Sequence, residues 1–170
     1  MHMTSKLTTA VAVFGLIATA TIANARPNRV RAAGQNGSIG VISGPNGSAM
    51  RTRGAVQNAD GSVTSGRAGG FKAANGATGG RASTTTVNPD GSANRRSMRG
   101  ASGAAGNYAT ASDVTRNADG TYSGGRTTSA TNAATGNTYN GSTQIDPATG
   151  KPVRTATCTD AAGNSIACPR

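Results

Sequence analysis

The sequence predicts an all-β fold, a repetitive antiparallel β-meander of long hairpins forming a thin sheet of low hydrophobicity. Three observations carry this expectation. Turn-like stretches recur at nearly constant intervals. The segments between them are rich in Thr and Tyr and lack a helix-length apolar stripe. The two cysteines fall across from each other about the last turn. Composition leaves one alternative open, a largely disordered chain.

Residues 1–25 are set aside before fold reasoning. Lys6 supplies a positive start, "LTTAVAVFGLIATATIA" an apolar run, and "ANA" small residues before a cleavage point, the pattern of a secretory signal peptide. The run is too short and too rich in Thr and Ala for a retained membrane anchor, so no transmembrane helix is expected in the mature chain. No Cys follows the cleavage point, which argues against lipoprotein anchoring. Residues 26–34, opening "RPNRVR", read as a basic flexible arm, and 35–170 as the β-hairpin repeat region. The expected location is secreted or periplasmic, with association at the cell surface as one form of it.

Beyond residue 25 the chain has no Leu, no Trp and one Phe, Phe71. Leu, Ile, Val and Phe make up only about a tenth of it, a level at which disorder is the default. A thick core is therefore excluded. The choice lies between disorder and a thin sheet held by backbone hydrogen bonds and small side chains.

The repeats favour the sheet. "NADGS" (58–62), "NPDGS" (88–92) and "NADGT" (117–121) alternate with "NGATGG" (75–80), "SGAAGN" (102–107), "NAATGN" (132–137), "DPATGK" (146–151) and "DAAGN" (160–164). Successive starts are separated by 17, 13, 14, 15, 15, 14 and 14 residues. In Asn88-Pro89-Asp90-Gly91, Pro presets φ for a type I turn, Asn caps it, and Gly91 takes positive φ in a G1 bulge. The 146–151 stretch reads as a longer loop built on a type I turn and closed by a left-handed Gly. "QNGS" (35–38) and "PNGS" (45–48) read as shorter turns of the Asn-Gly kind. Removing the loops leaves strands of about nine or ten residues.

A hairpin symmetric about 132–137 sets Ala130 opposite Tyr139, Thr128 opposite Gly141 and Arg126 opposite Thr143. Carried through 146–151, the register puts Thr143 opposite Arg154 and Tyr139 opposite Cys158. Centring the last turn on Gly163 puts Cys158 opposite Cys168. Two cysteines in an exported chain are normally paired, so a disulfide clamping this hairpin is expected.

Several chemistries are missing. Without His2 the mature chain has no His and no Glu, which rules out Ser-His-Asp and Cys-His catalysis and zinc sites with imidazole ligands. Five of the six Asp sit in turns, where capping accounts for them. Asp113 is the exception, expected diagonally near Arg126 as a structural ion pair. "NADG" resembles part of a calcium loop, but each turn offers one carboxylate, too few for Ca²⁺. "NGS" at Asn36, Asn46 and Asn140 matches a glycosylation acceptor and reads here as a turn. No enzyme activity, metal or cofactor is expected.

The charge points to binding instead. The whole chain carries 17 Lys and Arg against 6 Asp, a net charge of +11, and nearly all the cations are Arg, suited to bidentate contact with phosphate, sulfate or carboxylate. Arg67, Arg81, Arg95, Arg96, Arg99, Arg126 and Arg154 fall in or beside expected strands and form the candidate polyanion-binding set. Arg126 and Arg154 share a row and a face, two strands apart, with Tyr122 and Tyr139 on the same face. Thr127, Ser129, Thr131, Thr138, Ser142, Gln144, Thr155 and Thr157 would make the opposite face hydroxyl-rich.

The C-terminal stretch "DPATGKPVRTATCTDAAGNSI" resembles the YD or RHS-type repeat, whose D-x-x-G-[RN] turns string hairpins into a long sheet. Asp146, Gly150, Asp160, Gly163 and Asn164 match the turn positions, while Thr159-Asp160 stands where the family has Tyr-Asp. The resemblance covers about the last forty residues and implies hairpins and an exported bacterial setting. It implies no activity.

The functional expectation is an exported basic protein binding an anionic polymer: acidic polysaccharide, lipopolysaccharide or extracellular DNA. Two others stand beside it. Exposed sheet edges could support self-association into a fibre or coat. The hydroxyl-rich face could bind ice.

Overall fold

The computed structural model describes residues 28–168, so the expected signal peptide lies outside the described residues. Eleven strands follow one another. They are β1 (Asn28–Gly34), β2 (Gly37–Gly44), β3 (Gly47–Gln57), β4 (Val63–Ala73), β5 (Thr78–Val87) and β6 (Ala93–Gly103). The rest are β7 (Gly106–Arg116), β8 (Tyr122–Asn132), β9 (Thr138–Ile145), β10 (Pro152–Thr159) and β11 (Ser165–Ile166). They form one sheet in sequence order, and every pairing is antiparallel. At ordinary strand spacing the sheet is about 50 Å across. The chain is an all-β meander, as the repeats predict.

The turns show why the polar motif recurs. In 58–62, Gly61 donates its amide to the Asn58 carbonyl (3.0 Å) and Asn58 donates to the Ser62 carbonyl (2.8 Å). Gly61 has φ 83°, the left-handed bulge position. Side chains close a second circuit: the Asn58 amide donates to Ser62 Oγ (2.8 Å), and Ser62 donates both its amide and its hydroxyl to Asp60 Oδ1 (2.9 and 2.7 Å). Asn88, Asp90 and Ser92 repeat this, as do Asn117, Asp119 and Thr121. Each motif is a self-contained polar clasp that fixes the register of the strands on either side.

The expected pairings of Ala130, Thr128 and Arg126 across the β8–β9 hairpin are all present, as are Thr143 with Arg154 and Tyr139 with Cys158. Three expectations need correction. Residues 28–34 are not a flexible arm: they form β1, paired along its whole length with β2. The short turns have Gln35-Asn36 and Pro45-Asn46 at their centres, with the Gly closing the strand pair behind them. The Asn36 carbonyl instead accepts the amide of Ala55 in β3 (2.9 Å), and the Asn46 carbonyl that of Ala74, just past the end of β4 (3.0 Å). In the last hairpin Cys158 lies opposite Ile166, because Gly163 is the bulge residue of that turn and not its centre. The chain beyond β11 still brings Cys168 to Cys158, and the two form a disulfide with a Cα–Cα distance of 5.2 Å.

The sheet has no second layer among the described residues. Cys158 is the one buried hydrophobic residue, and Val30, Phe71, Met98, Tyr108 and Val153 are all exposed. Side-chain cohesion comes from short cross-strand contacts such as Ser97 with Ser112 (2.8 Å) and Thr64 with Thr86 (3.0 Å).

Gly47 has φ 128°, and a Cβ there would run into the Lys72 carbonyl of the neighbouring strand, whereas a Cβ on Gly34 meets nothing. Gly47→Ala should therefore cost about 1–3 kcal/mol in urea denaturation, with Gly34→Ala close to wild type. Hydrogen bonds from the Ser62 hydroxyl and then its amide hold the Asp60 carboxyl below its ordinary value of 3.8; Ser92 does the same for Asp90 and Thr121 for Asp119. A carboxyl lowered in the native state contributes stability that is complete above its unfolded value and is lost as pH falls through the native one. Protection factors of the Ser62, Ser92 and Thr121 amides, measured by NMR down a pH series and corrected for the intrinsic exchange rate, should fall only below about pH 3.8. The disulfide closes a loop across a sequence separation of 10 and should contribute about 2–3 kcal/mol. Its reduction is expected to raise exchange in β10 and β11 and leave β3–β7 unchanged.

Candidate anion-binding face

Residues opposite each other in a sheet share a face, so the register assigns every strand position to one side or the other. One row runs Ser38, Arg53, Arg67, Ser83, Ser97, Ser112, Arg126, Thr143, Arg154 from β2 to β10. Two residues along each strand, on the same face, a second row holds Arg31, Gly40, Arg51, Gly69, Arg81, Arg99, Thr110, Thr128, Gly141 and Ala156. A third row on this face begins with Arg29 and carries Phe71, Tyr108 and Tyr139, with Gly79, Ala101 and Ala130 among them. Arg95 and Arg116 complete the face toward the other strand ends.

Eleven arginines thus point to one side, and all eleven are exposed. Among the described residues that side holds no carboxylate, because Asp60, Asp90, Asp119, Asp146 and Asp160 lie in turns and Asp113 faces the other way. Arg53 lies directly opposite Arg67, and Arg81 opposite Arg99. Like charges in directly opposed positions destabilise a strand pair. Neutral hydroxyls hold some of the arginines in place: the Arg53 Nε donates to Ser38 Oγ (3.1 Å) and the Arg67 Nε to Ser83 Oγ (3.1 Å). These bonds anchor the inner edge of each guanidinium and leave its outer nitrogens toward solvent.

Of the seven arginines singled out by sequence, Arg67, Arg81, Arg95, Arg99, Arg126 and Arg154 lie on this face. Arg96 does not. It lies on the opposite side across from Asp113, whose Oδ2 accepts from its Nε at 2.8 Å. Asn94 donates to the same carboxylate (2.6 Å), and hydrogen bonds from Asn94 and then Arg96 hold the Asp113 carboxyl below its ordinary range. This corrects the expected pairing of Asp113 with Arg126. The 117–121 turn sets Asp113 opposite Gly125, a one-residue difference that leaves Arg126 on the other face. Tyr122 and Tyr139 do share the arginine face, and the eight hydroxyl and amide side chains expected opposite them all lie there.

Sequence reasoning missed Arg29, Arg31, Arg51, Arg53 and Arg116. The signal was present in "RVR" (29–31) and "RTR" (51–53), where a two-residue repeat puts both cations on one side of a strand.

The opposite face is nearly uncharged. Besides the Arg96–Asp113 pair it carries Lys72 alone among the charged strand residues described. An open trough of about 1090 Å³ crosses it, floored by Ala68, Ala82, Met98 and Ala111, with the ion pair along one side. With Arg96 paired to Asp113, this face keeps Lys72 as its one unpaired strand cation among the described residues, so the strongly anion-attracting surface is the other one.

No family model matches the chain, and no curated protein or solved structure is similar enough to count as a match. The functional reading therefore rests on the geometry of the sheet.

Proposed function

We propose that this chain is a non-enzymatic, exported basic protein that binds an anionic polymer of the cell surface or extracellular matrix through its arginine face. The observation that carries this reading is the segregation of charge: eleven exposed arginines on one side of a sheet, without a carboxylate among them in the described residues. A surface made only for solubility gains nothing from placing like charges directly opposite each other, as at Arg53–Arg67 and Arg81–Arg99. A bound anion relieves that repulsion. The rows extend over some nine strand spacings, about 40 Å, which suits a linear polymer better than a small anion. Guanidinium groups favour sulfate, phosphate and carboxylate through paired hydrogen bonds.

Export fits the same picture. The N-terminal pattern reads as a signal peptide, and the Cys158–Cys168 disulfide suits an oxidising compartment, secreted or periplasmic. No helix among the described residues is long and apolar enough to cross a membrane. Self-assembly through sheet edges is less favoured, because β1 carries Arg29 and Arg31 and β11 is two residues long. Charged or very short edge strands resist pairing with another chain.

Binding to a sulfated polyanion, followed by calorimetry across a salt series, tests the proposal. Affinity should fall steeply with salt as counterions are released. Replacing Arg53, Arg67, Arg126 and Arg154 together by Gln should reduce the log–log slope by roughly 3 units and weaken binding at least tenfold. The double variant Arg96→Gln/Lys72→Gln should bind like wild type. Equal losses in the two variants, or binding indifferent to salt, would sink the reading.

A further inference from the structure

We infer that the polymer recognised by the arginine face is a linear acidic polysaccharide carrying its acid group on alternate sugars, lying across the strands rather than along them. The inference deepens the polyanion-binding reading above and rests on it.

Its basis is an alternation across four consecutive strands. The second row supplies a lane of small or neutral positions from β7 to β10: Thr110, Thr128, Gly141 and Ala156. On one side of this lane stand Tyr108 in β7 and Tyr139 in β9; on the other stand Arg126 in β8 and Arg154 in β10. The flanking rows are each two residues from the lane, or about 7 Å along the strand. Walking across the sheet, the lane therefore meets an aromatic ring, a guanidinium, an aromatic ring and a guanidinium, one per strand.

A linear glycan advances by about one strand spacing per pyranose ring, so a sugar lying on this lane meets a new strand at each step. A neutral sugar beside Tyr108 or Tyr139 can stack its apolar face on the ring, while an acid sugar beside Arg126 or Arg154 meets a cation. The tyrosine placement supports stacking. The Tyr139 ring lies over Gly141, where a Cβ would collide with it, which lays the ring down on the sheet instead of standing it on edge. Tyr139 keeps 37% of its surface exposed and Tyr108 42%. In the N-terminal half the pattern is different: Arg53 faces Arg67 across β3 and β4, and Arg81 faces Arg99 across β5 and β6, so the alternation of ring and cation belongs to β7–β10.

Single-stranded nucleic acid also combines stacking with charge, but it carries a phosphate on every unit. An acid on every unit leaves half of its charges beside the tyrosines. Across β7–β10, the alternation of rings and cations favours the alternating polymer.

The test uses the oxidised mature protein and four probes matched in charge: a polysaccharide with a carboxylate on alternate sugars, a polyuronate with one on every sugar, poly-dT and inorganic polyphosphate. The alternating polysaccharide should bind at least fivefold more tightly than the other three. The double variant Tyr108→Leu/Tyr139→Leu keeps apolar bulk on the lane and removes the rings. It should lose roughly tenfold toward the alternating polysaccharide and stay within twofold toward polyphosphate. Circular dichroism and urea denaturation of the variant check that the sheet is intact; if it is not, the single Tyr108→Leu variant, whose ring covers no glycine, carries the comparison. Equal affinity for all four polyanions, or equal loss toward all four in the variant, would overturn the inference and leave polyanion binding standing. Preference for poly-dT that depends on the tyrosines would overturn it in favour of nucleic acid. Binding to none of the four would overturn the polyanion reading itself.

Discussion

Backbone hydrogen bonding between adjacent long strands is the interaction on which this structure depends. Most domains close two layers around an apolar core, and here one sheet stands with a single buried hydrophobic residue, Cys158, among those described. With so little apolar area to bury, the ladder must run unbroken, and that makes strand length and register the essential quantities. Strands of 10 or 11 residues from β3 to β8 meet this need through the middle of the sheet. The turns serve it too. Each Asn-x-Asp-Gly clasp satisfies its own polar groups, so register is set locally and no core packing is needed to choose it.

The same constraint explains the side-chain economy. Without a second layer, neither face is obliged to be apolar, and both can be given over to composition of another kind. One face takes the arginines and aromatic rings. The other takes Gly, Ala, Ser and Thr, with its ion pair of Arg96 and Asp113 neutralised internally. Strict alternation along each strand lets two such different surfaces be written into one short sequence, because neighbouring residues never compete for a face.

Much of this was legible in the sequence, for a physical reason. Turn chemistry is local, so "NADGS" or "DPATGK" announces its hairpin without knowledge of the rest, and the register of β8, β9 and β10 follows by counting from the turns. The errors come from the same source. A bulged turn shifts the count by one, and one residue exchanges faces. A one-residue shift separated Asp113 from Arg126, and a two-residue shift in the last turn set Cys158 opposite Ile166 instead of Cys168. Residues 28–34 were illegible for a different reason. Basic and weakly apolar, they have no strand signature of their own, and their order comes from pairing with β2. The arginine face as a whole was only half visible, since it emerges when ten registers are joined and no single segment contains it.

The strict agreement between strand order and sequence order has a mechanical consequence. A chain drawn out from its two ends would load this sheet at its outermost strands, pulling across each ladder so that bonds open one pair after another. Such a molecule yields by unzipping, hairpin by hairpin, at low force and over a long extension. At one end the Cys158–Cys168 bridge keeps only the last turn and β11 from being drawn out, and β10 is held by β9 as β1 is held by β2 at the other. The bridge passes the load to Cys158, so tension peels β1 with Arg29 and Arg31 from one side and β10 with Arg154 from the other, and the middle strands are reached last. A protein tethered between an anionic polymer and a moving surface would thus lengthen under load while the contacts of its middle strands still held.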